Sequence, residues 1–590
     1  MIRLTENARR VLEARYLRRD ESGKVNETPD ELFHRVAGAI AEADDELGGD
    51  RALWEERYVE LLTSLDFLPN SPTLMNAGTS VGQLSACFVL PVEDSLEDIF
   101  EAVKQMALVQ RTGGGTGFSF SELRPKNDIV RSTGGVASGP VSFMRIFDCA
   151  TENIKQGGRR RGANLGVLRV DHPDILDFVS AKLEEGSFRN FNISVGITDA
   201  FFEAVRDDTS YALVHPATGE PAGHLRASAV FEAIVDAAWR SGDPGLLFLD
   251  AIHRGNPVPN LGRIEAANPC GEVPLLPYES CNLGSINLAN MVEATEDGEA
   301  HIDWDKLAKT VTTAVRFLDG VIEVNRYPLP AIEKATRATR KIGLGVMGFA
   351  ELLIRLGVGY AREEAERTGR AIMQFIAEKA REASAELADE RGVFPAWDRS
   401  KYAPGNERLR HATRTAIAPT GTIGIIAGTS PSIEPLFALA YRRKHVLGEQ
   451  TLVDMNAIAR DYLDRTGYDV KDVLDAVLEK GTIAEVESVP ATTRELLVTA
   501  LEVPAERHLA IQAAFQQHVD NSVSKTVNLP ESATRVDIAR VYTRAWELGL
   551  KGVTVYRFGS KREQVIELGA EEKTEEYDSG SRCDPGECRV

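Results

Sequence analysis

Apolar residues change their spacing along this chain, and the changes predict its elements. Phe33, Val36, Ile40, Ala43 and Leu47 recur every three or four residues, the period of one helix face. Thr28-Pro29-Asp30-Glu31 precedes them with a capping-box pattern and a proline at the first helical position. Residues 1–67 therefore predict a helical N-terminal region. Beyond Leu68, short continuous apolar runs alternate with helical stretches. Gly166–Val170, Ile193–Ile197 and Leu246–Leu249 read as buried strands. Phe349 to Leu356 and Ala361 to Arg391 read as helices, the second closed by Gly392. Strands alternating with helices predict an α/β architecture with largely parallel strands over residues 68–562. Residues 563–590 differ: Glu571, Glu572, Glu575, Glu576 and Asp578 leave little to bury, and a mobile tail is expected.

Composition narrows the function classes. The chain has 590 residues, 43% hydrophobic and 27% charged, enough for a large core and consistent with a soluble globular protein. A formal charge of −21 disfavours a nucleic-acid binder, which needs a basic footprint. The start of the chain carries no apolar signal segment, and no run of about 18 apolar residues predicts a membrane span. The cytoplasm is the expected compartment. Six cysteines in such a chain do not make a secreted disulfide framework, so thiol chemistry is the expectation.

The cysteine contexts carry the candidate chemistry. In Asn268-Pro269-Cys270-Gly271-Glu272, extended backbone would present an amide, a thiol and a carboxylate on one face, while Pro269 and Gly271 also suit a tight loop. A thiol can act as nucleophile or hydrogen-atom donor, and a carboxylate as base. A structural cysteine in a loop is the plain alternative. Cys583-Asp584-Pro585-Gly586-Glu587-Cys588 can close a small ring without a fold around it. A redox shuttle, a metal half-site and a chance pair are all compatible with it, although no further ligand lies nearby. Cys149 is expected to be a small buried apolar residue.

Glycine-rich segments are candidates for phosphate. Thr415 to Gly424 reads as a strand entering a Gly/Thr loop whose amides and hydroxyls could cradle a phosphate, or as an ordinary βα turn. Arg111-Thr112-Gly113-Gly114-Gly115-Thr116-Gly117 lacks the Gly-Lys-Ser/Thr ending of a P-loop. Gln156-Gly157-Gly158-Arg159-Arg160-Arg161-Gly162 is a cationic loop in an acidic chain, suited to phosphate or to solvent.

Together these segments resemble the ribonucleotide reductases, specifically the adenosylcobalamin-dependent class II catalytic chain. The anchors are Asn70-Ser71-Pro72-Thr73-Leu74-Met75-Asn76-Ala77-Gly78, the Cys87 segment, the Gly-rich stretch with Arg124, the Arg159–Arg161 loop, Asn268 to Asn287, Pro419 to Ile423, and Gly549 to Tyr556. The resemblance implies a ten-stranded α/β barrel of two parallel five-stranded halves around a finger loop. It implies that Cys270 carries a thiyl radical, that Glu272 takes the 3′-hydroxyl proton and that Asn268 holds the sugar hydroxyls. Cys87 and Cys281 would be the reducing dithiol, recharged by Cys583 and Cys588 and then by thioredoxin or a similar donor.

Ser71, Ala86, Pro419, Thr420, Gly421, Thr422 and Ile423 would bind the ribonucleotide substrate. Asp94, Arg124, Arg159, Arg160 and Arg161 would serve a deoxynucleotide effector in a homodimer. Class I chains use a tyrosine pair where this one has Val555-Tyr556, and no glycyl-radical motif is present, which leaves adenosylcobalamin as radical source. No separate activity-control domain precedes the barrel in this reading, so specificity control alone is expected. The competing readings are a class I large subunit with an altered relay, dependent on a metal-containing partner, and a non-catalytic nucleotide binder.

Overall fold

Thr28 caps the first long helix as its sequence predicts. Its hydroxyl accepts from Glu31 N, and Glu31 returns a carboxylate oxygen to Thr28 N at 2.7 Å. The computed structural model describes residues 2–130, 134–156, 160–184, 186–294, 300–443, 452–480 and 482–560. Helices Glu6–Arg15, Pro29–Glu46 and Arg51–Thr63 form the N-terminal layer. Leu32, Phe33, Val36 and Ile40 bury their side chains in one core with Phe317, Leu318, Ile342 and Leu344. The N-terminal helices thus share a core with the main body. A segment this small buries a smaller share of its own surface, and packing on the body completes its core.

Two parallel sets of strands build the body. Cys87–Val89, Gly115–Ser119, Asn164–Arg169, Phe191–Ile197 and Gly245–Phe248 pair in sequence order, each parallel to the next. Ser280–Asn287 pairs parallel with Ile342–Met347, and Thr526–Leu529 with Gly552–Arg557. The sets meet antiparallel at two seams, Cys281 opposite Cys87 and Leu246 opposite Val553. Between Ile342–Met347 and Thr526–Leu529 the wall is carried by two parallel bridges, Leu344 to Thr415 and Ile417 to Val523. The predicted strand at Thr415 is therefore reduced to single bridges. Counting that segment, the wall has the expected two halves of five. Helices such as Trp304–Val324 and Glu363–Arg391 cover the outside.

A hairpin enters the barrel. Ala266–Ala267 pairs antiparallel with Pro274–Leu275, and residues 268–273 form its tip. Around it lies an interior core of Val89, Leu165, Val167, Leu247, Ala266, Ala267, Val273 and Leu283. Gly117 explains how the hairpin fits: a Cβ there would stand 1.7 Å from the Ala267 carbonyl oxygen. A Cβ on Gly115 would meet Pro269 Cγ at 2.9 Å. Gly115 and Gly117 thus form a bare strip on which the hairpin rests, and these two glycines serve backbone approach. Among the described residues, no helix is long and apolar enough to cross a membrane.

Two expectations change. Cys149 is exposed, because the helix Pro140–Asn153 turns Met144, Phe147 and Thr151 inward and Cys149 away from them. Within the cationic segment, Lys155–Gln156 pairs antiparallel with Arg160–Arg161. Arg159 lies outside the described residues, as do Cys583 and Cys588.

Candidate active site

The tip of the hairpin is a turn. Gly271 N donates to Asn268 O at 3.0 Å, and Gly271 takes φ +80°, a conformation suited to glycine. This corrects the extended reading of Asn268 to Glu272. The turn buries Asn268 and Glu272 and leaves Cys270 exposed at its summit. Asn268 locks the turn through its amide: Oδ1 accepts from Val273 N at 3.0 Å, and Nδ2 reaches Cys87 Sγ at 3.1 Å. Asn192 Nδ2 donates to the Pro269 carbonyl at 2.9 Å, and Ser522 N to the Glu272 carbonyl at 2.8 Å. The tip is held from both halves of the barrel.

Cys87 and Cys281 face each other across the antiparallel seam, both buried. Directly opposed residues in such a pair carry their Cβ atoms within ~4.5–5.5 Å, close to what a disulfide requires. Burial raises both thiols, and for Cys87 the neighbouring Glu272, Cys281 and Cys270 add to that rise. Glu272 is pushed up to about 7 by burial, against the partial opposition of the Asn268 amide. Its Oε2 has no hydrogen-bond partner among the described residues. A buried carboxylate near neutrality with an open oxygen can accept a proton from a ligand.

The candidate phosphate segment is a turn that opens a short helix. Thr420 takes φ +47°, and its hydroxyl accepts from Ser432 N at 2.6 Å. The helix Gly421–Ala427 follows and packs against Glu6–Arg15 and Phe67–Pro69. Pro419 and Gly421 are exposed, Thr422 is half-buried, and the Ile423 side chain points into the core. Ser71, at the start of the helix Ser71–Asn76, shares a hydrogen bond of 2.7 Å with Tyr16. Ala86 bonds through its backbone to Cys281 O and Gly115 N. Tyr16 escaped the sequence reading because it sits outside every short motif.

Asp94 and Arg124 come together: Arg124 Nε lies 2.7 Å from Asp94 Oδ2, and Arg124 N donates to Asp94 Oδ1. Each occupies the other's charge. Asn164, at the start of the strand Asn164–Arg169, accepts from Gln110 and from Thr116, the residue between the two glycines under the finger tip. Leu96 and Phe100, one turn apart on the helix after Asp94, are more than half exposed, as are Ile129 and Val136. The sequence reading missed Asn192, Ser522 and the buried pair Glu279–Lys341. Only Glu279 had a signal, as an acid two residues before Cys281.

Known proteins share this organisation. Residues 85–556 match the model of the ribonucleotide reductase barrel domain, and residues 2–82 that of the ribonucleotide reductase all-alpha domain. A vitamin B12-dependent ribonucleoside-diphosphate reductase of Thermoplasma acidophilum is 48% identical over 97% of this chain and 81% of its own length. One from Mycobacterium tuberculosis is 50% identical over 96% of this chain and 81% of its own. The ribonucleoside-diphosphate reductase subunit alpha of Chlamydia muridarum is 28% identical over 94% of this chain and 58% of its own.

Proposed function

The chain belongs to the ribonucleotide reductase family, and we propose that it reduces ribonucleoside diphosphates to 2′-deoxyribonucleotides by thiyl-radical chemistry dependent on adenosylcobalamin. The convergence of Cys270, Glu272, Asn268, Cys87 and Cys281 inside one barrel carries this reading. Diphosphates are the substrate class in the names of the Thermoplasma and Mycobacterium relatives.

Each residue then has a task. Cys270 takes the 3′-hydrogen atom of the ribose. Glu272 accepts the 3′-hydroxyl proton on its open oxygen, and Asn268 orients the sugar hydroxyls. Cys87 and Cys281 supply two electrons and two protons, the 2′-hydroxyl leaves as water, and the pair becomes a disulfide. The amides of Thr420 to Ile423, with Ser71, hold the phosphates, and the barrel wall keeps water from the radical. Cys270 would receive the initiating radical, which adenosylcobalamin would supply when bound. The exposed thiol of Cys270 fits an initiator that arrives from the cavity, and Val555, buried in the wall, offers no phenol for a relay from a second subunit. Cys583 and Cys588 regenerate the dithiol with thioredoxin or a similar donor, a cycle that suits the reducing cytoplasm.

Asp94, Arg124 and the Arg159–Arg161 segment serve a deoxynucleotide effector. The exposed Leu96 and Phe100 beside Asp94 suit the contact of a homodimer. The deciding experiment is anaerobic incubation of the isolated chain with adenosylcobalamin, a ribonucleoside diphosphate and a small dithiol. Deoxynucleotide should form with no second protein. Product that appears only when a metal-containing subunit is added would establish the class I reading instead.

A further inference from the structure

The two buried cysteines face unlike surroundings. Cys87 Sγ accepts from Asn268, which favours negative charge on it, but burial and the neighbouring Glu272 and Cys270 outweigh that hydrogen bond. Cys281 lies against the neighbouring strand: a Cβ on Gly343 would stand 3.7 Å from its Sγ. Asn282 is in parallel register with Ile342, which sets the preceding residues, Cys281 and Lys341, side by side. Lys341 Nζ is 2.6 Å from Glu279 Oε2, and both side chains are almost fully buried. Glu279 is fixed in turn by Leu276 N at 2.7 Å and Thr339 Oγ1 at 2.7 Å. Lys341 also borders a cavity of about 10 Å³, lined by Thr413, Asp520 and Lys551 and large enough for one water.

A buried ion pair carries a desolvation cost that an apolar pair of similar volume avoids. Its place beside one thiol of a dithiol supplies a reason for it. We propose that the Lys341–Glu279 pair positions charge for thiol–disulfide exchange, making Cys281 the leaving thiolate when an external dithiol reduces the Cys87–Cys281 disulfide. The proposal rests on the dithiol role given above.

In the step, a thiolate of the dithiol attacks Cys87 Sγ. A new S–S bond forms to Cys87, and the Cys87–Cys281 bond breaks with its electron pair on Cys281. The second thiol displaces Cys87 and closes the dithiol into a disulfide. Two electrons and two protons reach Cys87 and Cys281, which end as thiols. Exchange is faster when the leaving sulfur is the better-stabilised anion. The charged groups facing Cys281 are Lys341, Glu272 and Glu279, and of these only Lys341 favours the thiolate.

The test uses the full chain after one turnover without reductant. Peptide mapping of the wild type first establishes whether a Cys87–Cys281 disulfide forms; its absence would overturn the dithiol role and the proposal with it. A small monothiol is then added with an alkylating agent, and the mixed disulfide is located. It should sit on Cys87, with Cys281 alkylated. The double variant Lys341→Met/Glu279→Gln removes both charges and leaves no buried ion alone. It should give the wild-type single-turnover yield, lose the preference for Cys87, and slow re-reduction about tenfold. Lys341→Arg should keep the preference. A wild-type adduct on Cys281, or an unchanged partition in the double variant, would overturn the proposal while leaving the dithiol role intact.

Discussion

Two carboxylates lie at similar depth in this chain, Glu272 inside the barrel and Asp319 beneath the helices that cover it. Asp319 receives Arg391 Nη1 at 2.9 Å, Arg410 Nε at 3.1 Å, His411 Nε2 at 2.9 Å and the Arg340 guanidinium. Burial alone would raise it, yet Arg340, His411 and Arg410 outweigh burial and hold it well below the usual carboxylate range. Glu272 has burial with no cation beside it among the described residues, and rises to about 7. Depth is the same; partners decide the proton. The Asp319 cluster extends through Arg391 and Arg316 to Asp44 of the N-terminal helix Pro29–Glu46, so it ties the N-terminal layer to the barrel. One region spends its charges on each other, and the other leaves an oxygen open for substrate.

Substitutions at the two regions should separate activity from stability. The largest effect belongs to Cys270→Ser, which should bring deoxynucleotide formation below detection while nucleotide binding and the thermal midpoint stay near wild type. A persisting product would remove Cys270 from the radical role. Glu272→Gln should lower kcat roughly 100- to 10,000-fold, the range for a lost general base. The wild-type rate should rise with pH through about 7 as Glu272 loses its proton, and the variant should lack that rise. A pH rise that survives in the variant would assign it to another group.

Asp319→Ala inverts the pattern. Leaving Arg340, Arg391 and Arg410 without their shared anion should cost about 3–5 kcal/mol of stability, read by denaturant unfolding. A loss within a fraction of that would mean the arginines re-pair with Glu323 and Glu390. The smallest effect is acid sensitivity. Burial pushes His411 down to about 4, so the unfolded chain takes up a proton near pH 6.5 that the folded chain refuses. Stability from this group is full above about pH 6.5 and falls as pH drops towards 4. His411→Gln should flatten that part of the pH–stability curve; an unchanged slope would place the acid response elsewhere.

Much of the site was legible because its chemistry sits in short motifs. Asn268, Cys270 and Glu272 occupy five consecutive residues, and Thr28 with Glu31 announces a helix start without help from afar. Other features carried no local mark. The glycines at 115 and 117 look like a weak phosphate loop, and their use appears only once Ala267 and Pro269 are laid against them. Thr415 to Ile417 has the composition of a strand, but the ladder there consists of isolated bridges. Cys149 looks like a core residue, and helix phase turns it outward.

The sequence by itself determined the local elements: caps, the strand and helix periods, and the identities of the reactive groups. These depend on neighbours a few residues away. The tertiary structure alone decided that Cys87 lies opposite Cys281, that Lys341 stands beside that pair, and that Glu272 is buried without a cation while Asp319 is surrounded by them. Proton affinity and sulfur reactivity follow the dielectric and charge within a few ångströms, and the residues that set them come from distant parts of the chain.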